Sequence, residues 1–331
     1  MAPIDRRSVL RLSVATASIG ALWPVGSLAQ TLPETARVIV GYPPGGGIDL
    51  ISRRLAEQLT GKLAKAVIVD NRPGAAGRIA VDIARQSPPD GLTLLMNPAG
   101  VLTINPHTYK KSNYDPFKDF TALSLAALID FGFAVGPGVP PEVKTLADFS
   151  KWAKANEGKV TYGSPAAGAP PHFVGDALSR SLGLNMTHVP YRGGAPAMND
   201  VMGGQISAIV LTLGDLIQPA KAGKVRLLAS TGPARSKFAP EVATFAELGV
   251  GGLDMRDWFG VYIVGAASAE TTAKVIPLVR AALTSSQYVQ GLAATGIEAT
   301  YSTPQEMDRL FRLDYERWGA IVKASGFVAD V

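Results

Sequence analysis

Four short apolar runs in this chain hand over to helical stretches through corners of glycine, proline and small polar residues. A chain patterned this way is steered toward mostly parallel strands with helices packed on both faces of the sheet. The corners are Tyr42-Pro-Pro-Gly-Gly-Gly-Ile-Asp49, Asn71-Arg-Pro-Gly-Ala-Ala-Gly77, Ser164-Pro-Ala-Ala-Gly168 and Tyr191-Arg-Gly-Gly-Ala-Pro196. Strands are expected at Arg37–Gly41, Ala66–Asp70, Thr93–Met96, Phe133–Val135, Val160–Tyr162, Met186–Val189, Ile206–Leu211 and Arg226–Ser230. Helices are expected at Asp49–Leu59, Gly77–Gln86, Leu146–Asn156, His172–Leu182, Ala195–Met202 and Pro277–Leu283. A last helix opens at Thr303-Pro-Gln-Glu306, which combines an N-cap, a proline at the first helical position and a capping-box glutamate, and ends at Gly326. In sheets of this kind ligands collect at the carboxyl ends of the strands, where the corners lie.

The first corner carries the most chemistry. It joins the apolar run Arg37–Gly41 to a helix with Leu50, Ile51, Leu55 and Leu59 on one face. Glycine there leaves backbone N–H groups bare, and the helix dipole favours an anion beside them. Asp49 is placed as the N-cap, and a carboxylate is the expected guest. The plain alternative is a tight turn that needs glycine for positive φ.

The chain has 331 residues, 47% of them apolar, enough for two α/β domains with cores of their own. Net charge is +5, and the first 29 residues carry +2 of it, so the remainder is too mildly and too diffusely basic to argue for nucleic acid. The absence of cysteine excludes disulfides, thiolate-bound metal, a thiol nucleophile and a lipoprotein anchor. Residues 1–29 read as an export signal: Arg6-Arg7 precede a weakly apolar run to Leu28, and Ser27-Leu28-Ala29 supplies small residues for cleavage before Gln30. The paired arginines point to the twin-arginine route, with the general secretory route as the alternative. No later run is long enough to span a bilayer, so a soluble, exported protein that is not membrane-embedded is expected.

Catalytic patterns are missing. There is no Gly-x-Ser-x-Gly elbow and no phosphate-binding Gly-Lys-Ser/Thr loop, and His107, His172 and His188 lack metal-binding spacing, so neither a metal nor a cofactor is expected. His172 reads as a helix-start histidine rather than a base. The rival of a different class is an NAD-dependent oxidoreductase with a degenerate glycine loop. Asp70 stands 25 residues after Gly45, near where a ribose-binding acid belongs, but the third glycine is replaced by Leu50. Several strand–helix corners with no assembled acid, base and nucleophile suit a binder better than an enzyme.

Taken together and in order, a set of short motifs carries a resemblance. They are Tyr42–Asp49, Val69-Asp-Asn-Arg-Pro-Gly-Ala-x-Gly77, Pro89-Asp-Gly-x-Thr-Leu-Leu-Met96, Ile104-Asn-Pro106, Tyr114-Asp-Pro-x-Lys-Asp-Phe120, Val189-Pro-Tyr-Arg-Gly193 and Trp258-Phe-Gly260. The chain resembles the Bug family, the extracytoplasmic solute-binding receptors of tripartite tricarboxylate transporters. The resemblance implies a two-lobed α/β periplasmic-binding-protein fold, type II-like, with a ligand cleft between lobes joined by crossover strands. Residues 30–130 and 255–331 would form lobe 1 and residues 131–254 lobe 2. It implies a periplasmic, monomeric receptor that closes on a small organic acid and delivers it to an inner-membrane tripartite permease, or to a sensor. The breaks at Gly136–Pro141 and Gly249–Gly252 would be the crossings between lobes.

Carried over by position, the ligand would meet Tyr42, Gly45, Gly46, Gly47, Asp49 and Ala99 on one side of the cleft. Ser164, Ala167, Gly168, Ala169, Tyr191, Thr212 and Asp215 would stand on the other. Several family hydroxyls and an acid are apolar here: Ile48, Ala99, Val101, the loop Gly168-Ala-Pro-Pro-His172, and Leu211. An unpaired buried polar group costs about 1–3 kcal/mol, so these changes predict a carboxylate with a largely apolar or aromatic body rather than a free amino acid. Arg192, in the last corner, is as readily a solvated turn residue as a ligand contact. Tyr42, Tyr191 and Trp258 are cleft or core aromatics.

Overall fold

The computed structural model describes residues 32–109, 113–253 and 256–329. The export signal expected at residues 1–29 lies outside the described residues.

In chain order the elements are β1 (Thr35–Val40), α1 (Gly47–Leu59), β2 (Ala66–Asn71), α2 (Arg78–Arg85), β3 (Thr93–Pro98), α3 (Ala99–Thr103), α4 (Asn105–Thr108), β4 (Phe120–Ile129), β5 (Phe131–Val135) and α5 (Leu146–Ala155). There follow β6 (Thr161–Ser164), α6 (Pro170–Ser181), β7 (Thr187–Pro190), α7 (Gly194–Met202), β8 (Ala208–Thr212), α8 (Leu213–Lys221) and β9 (Arg226–Ser230). The chain ends with β10 (Asp257–Val264), α9 (Ala269–Leu283), α10 (Ser286–Ala293), β11 (Glu298–Ala299) and α11 (Pro304–Ser325).

Two sheets result, ordered β11-β4-β10-β3-β1-β2 and β7-β6-β8-β5-β9. Setting β11 aside, the two follow one plan. Three parallel strands run β2-β1-β3 in the first and β7-β6-β8 in the second. In each sheet the next strand is antiparallel, and it is the one that has just crossed from the other lobe: β10 in the first, β5 in the second. The last strand of the plan, β4 or β9, pairs antiparallel with it. This is the expected two-lobed α/β fold.

The first crossing is only Asp130 long, since β4 ends at Ile129 and β5 begins at Phe131. The expected crossing at Gly136–Pro141 is therefore corrected. β5 already belongs to the second sheet, and Gly136 lies past its far end, its N–H bonded to the Ser207 carbonyl. Arg256 and Asp257 mark the return path. Arg256 clasps both the Asp130 carboxylate (Nε to Oδ1, 2.8 Å) and Glu298 (2.5 Å), so a single guanidinium ties the two crossings together.

Amphipathic patterning explains the packing. α1 buries Ile48, Ile51, Leu55 and Leu59 against one face of the first sheet, each side chain worth about 1.5–3 kcal/mol. α11 covers the other face with Met307 and Phe311 and reaches the second lobe through Trp318, which packs on Phe173 of α6. Its expected cap is present: the Thr303 and Glu306 side chains bond each other's backbone N–H, and Gly326 closes the helix at φ 69°. No helix among the described residues is long and apolar enough to cross a membrane.

Candidate functional site

The carboxyl ends of β1, β2 and β3 bring three corners together in the first lobe. A Cβ on Gly77 would lie 2.9 Å from Val101 of α3 and 3.6 Å from the Tyr42 ring. Asn105 binds the Ala76 carbonyl at 3.0 Å. Tyr42 is half-buried, and its hydroxyl is raised above its usual pKa, first by burial and then by the charge of Asp257. Asp257 is itself pushed up to about 7 by burial.

Asp49 does not cap α1; this expectation is corrected. Gly46 is the N-cap, and Asp49 is the third residue of the helix, 4% exposed. Its carboxylate reaches back to accept the Gly45 N–H at 3.0 Å. It also accepts from Arg53 Nε at 2.9 Å and from Asn71 Nδ2 at 3.0 Å, while the same Asn71 amide lies 3.1 Å from the Tyr42 carbonyl. Burial works against the charge, but these donors outweigh it and hold the carboxyl below the usual range. Asp49 is thus the staple of the corner, with its lone pairs taken. Gly45 adopts φ 92°, which glycine alone takes without strain, and no described residue accepts from the N–H groups of Gly46, Gly47 or Ile48. Gly46 is exposed, Gly47 half-buried and Ile48 buried, so the three donors step inward along the positive end of α1. Ala99, expected on this wall, is fully buried in the core and offers a ligand no surface.

In the second lobe the corner after β6 is built differently. Ala169 is the N-cap of α6, and Pro170 and Pro171 occupy its first two positions, where they have no N–H to offer. Helix α6 therefore starts two residues before the expected His172. Gly168 sits at φ 73°, and its N–H donates to His172 Nδ1 at 3.0 Å. Ser164 is fully buried, 3.0 Å from the Ala166 carbonyl and 2.8 Å from His188 Nε2, so its hydroxyl faces inward. Ala167 is exposed and Ala169 half-buried. The Tyr191 hydroxyl is committed to Asp200 at 2.7 Å, and its N–H to the Ser164 carbonyl at 3.0 Å. Thr212 donates to Asp215 Oδ2 at 2.6 Å. Asp215 is exposed, and desolvation by the surrounding protein raises its carboxyl even though Thr212 donates to it. Arg192 is exposed, with no ion pair among the described residues, and Trp258 is core, its indole N–H given to Asp314 at 2.6 Å.

The two sets of corners meet at α3: a Cβ on Gly100 would stand 3.2 Å from Pro170. Asp70, the acid of the dinucleotide alternative, is ion-paired with Arg72 at 2.7 Å. His172 is the helix-start histidine expected, satisfied by the Gly168 N–H, while its stacking with His188 went unread. The usable signal was the spacing, because an acceptor stands four residues after a glycine in both corners, Gly45 to Asp49 and Gly168 to His172.

Residues 51–327 match the family model described as "Tripartite tricarboxylate transporter family receptor". The protein of the gbd 5′ region of Cupriavidus necator is 31% identical over 322 residues, 95% of each chain. The solved periplasmic binding protein BugD superposes with a TM-score of 0.82 at 26% identity, covering 90% of this chain and 99% of its own. An R. palustris protein solved with adipate gives 0.83 at 27% identity, covering 92% and 99%. The family match begins just past the Tyr42–Asp49 corner, and the superpositions cover nine-tenths or more of this chain. This chain is a member of the tripartite tricarboxylate transporter receptor family, periplasmic solute-binding receptors that include the Bug proteins.

Proposed function

We propose that this protein is an exported receptor that captures a small organic carboxylate with a largely apolar body between its lobes, and delivers it as a monomer to an inner-membrane tripartite permease. The observation that carries the reading is the first corner. The N–H groups of Gly46, Gly47 and Ile48 stand unclaimed at the positive end of a 13-residue helix, in a family whose similar member was solved with adipate. The lobes divide near residues 130 and 255, and export follows the twin-arginine route.

The carboxylate sits on the Gly45–Gly47 corner beneath Tyr42. Opposite it, Ala167, Gly168 and Ala169 form an apolar ledge, flanked by Tyr191 and by the Thr212–Asp215 pair. Ligand touching both sides favours the closed arrangement by its differential contacts. The ledge supplies few donors, because prolines fill the start of α6 and the Ser164 hydroxyl is turned inward. An apolar or aromatic tail suits that surface better than a second charged end does. The receptor performs no chemistry on its guest.

Thermal unfolding of the mature protein against a panel of mono- and dicarboxylates, adipate among them, tests the reading. A ligand at a hundredfold its dissociation constant adds about 2.7 kcal/mol of stability. Aliphatic or aromatic acids are expected to raise the midpoint. Tight aspartate or glutamate binding with none for aromatic acids sinks the apolar-body reading, and no response to any carboxylate sinks the assignment of the anion.

A further inference from the structure

The core of the second lobe holds a polar cluster that no contact with a ligand explains. The rings of His172 and His188 stack with centroids 3.9 Å apart and planes 16° apart. His172 opens α6, and His188 comes from β7. Groups facing the pair come from each surrounding element. From α6, Asp176 Oδ2 lies 3.4 Å from His172 Nε2, and Arg180 stands further along the same helix. From β6, the Tyr162 hydroxyl lies 2.6 Å from Asp176 Oδ1 and 3.0 Å from the His172 carbonyl, and Ser164 lies against His188. Among the described residues of the C-terminal segment, Phe327 sets its ring edge-on to His172, centroids 5.4 Å apart.

The Gly168 N–H fixes the tautomer. It donates to His172 Nδ1, so the ring proton is on Nε2, toward Asp176. A second proton would have to enter at Nδ1, where it meets the Gly168 N–H head-on. Charging the ring and keeping the Gly168 hydrogen bond are therefore mutually exclusive. We propose that His172, kept neutral in its stack with His188, is the positioning residue of the 164–169 loop, so that the loop is formed at neutral pH and let go in acid. Burial pushes both rings below the ordinary histidine value, His188 to about 4, despite the nearby Asp176. Placing the loop on the ligand rests on the functional reading above; the coupling of ring proton to Gly168 does not.

The test uses the unliganded mature protein, ¹⁵N-labelled, followed by NMR from pH 8 to pH 4.5. Expected are an unprotonated Nδ1 on His172 at pH 8 and a loss of Gly168 amide protection, at least tenfold, tracking titration of that ring. The amide of Gly45, held by a carboxylate, keeps its protection over the same range. In His172→Asn, whose side-chain oxygen replaces Nδ1 as acceptor without titrating, Gly168 stays protected in acid. Gly168 protection that is unchanged while His172 titrates, or that is lost equally in the variant, overturns the proposal. If His172→Asn does not fold, the wild-type titration decides alone. Adipate binding measured at pH 7.5 and pH 5 reads the consequence: an acid loss at least tenfold larger for the wild type than for His172→Asn supports it, and an equal loss in both, as protonation of adipate or of Asp257 alone would give, counts against it. Absence of binding at either pH bears on the ligand, leaving the Gly168 readout intact.

Discussion

The Gly45 and Gly168 corners are the same device made from different acceptors. In each, a glycine in the left-handed region gives its N–H to the side chain of the third residue of the following helix: Gly45 to Asp49, Gly168 to His172. Everything else diverges. The first corner is glycine-built, leaves three further N–H groups bare, and is stapled by an ionised carboxylate also held by Arg53 and Asn71. The second is built of alanine and proline, has had donors removed, and is stapled by a neutral ring. Matching backbone geometry does not make two corners equivalent. The N–H groups left bare decide whether the corner attracts an anion, and the chemistry of the staple decides over which pH range the corner exists.

The sharpest way to break that comparison is Asp49→Ala. It strands the Gly45 N–H, the Arg53 guanidinium and one Asn71 bond, so a loss of about 3 kcal/mol is expected in denaturant melts. His172→Leu removes a single buried acceptor and should cost about 2 kcal/mol, most of it recovered by His172→Asn. Gly46→Val reads function apart from fold. The new Cβ meets nothing within 4 Å and the backbone, at φ −84°, accommodates it, so the fold should hold, at a loss of about 0.5–1 kcal/mol for the poorer N-cap. Carboxylate affinity should nevertheless fall at least tenfold by calorimetry, because the branched side chain screens the N–H groups.

The smallest effect is on stability against pH. Both stapling histidines have depressed folded values, so the unfolded chain binds protons that the folded chain refuses. Stability is complete above about 6.5 and drains away as pH falls toward about 4, by about 1 kcal/mol after screening at these partly accessible rings. Asp49 is also depressed, so its contribution persists until pH drops below the ordinary carboxylate range. Acid should therefore loosen the second corner before the first; because Asp257, raised to about 7, gains stability over the same window, the effect is read as the difference in low-pH melting temperature between the wild type and the His172→Asn, His188→Asn double variant.

Much of this architecture could be read from residues alone, and the misses have physical causes. The corners, the parallel strands that feed them and the capped final helix were legible because turn residues punctuate them. β10 was not: all eight of its residues are buried, so it shows no alternation to betray it. β4 is nearly as featureless, rich in alanine and leucine. For α9 the reading began at Pro277, where a proline suggests a first turn. The helix instead starts after Ser268, whose hydroxyl accepts the Thr271 N–H, and carries Pro277 inside it. At the site, spacing identified which loops matter but not which way their side chains turn. Ser164 and Ala99 were drawn inward by the core, and Asp49 by its own corner, none of which a linear pattern records.

The late arrival of β10 has a consequence for the making of the protein. A nascent chain that has emerged as far as Ser230 contains every strand of the second sheet, while the first still lacks the strand that belongs between β3 and β4. Until residues 257–264 slot in, β3 and β4 present facing, unsatisfied edges, the kind of surface that invites pairing with another chain. The lobe that begins first thus finishes last, and the interval before it does so is the stretch of this protein's life most exposed to aggregation.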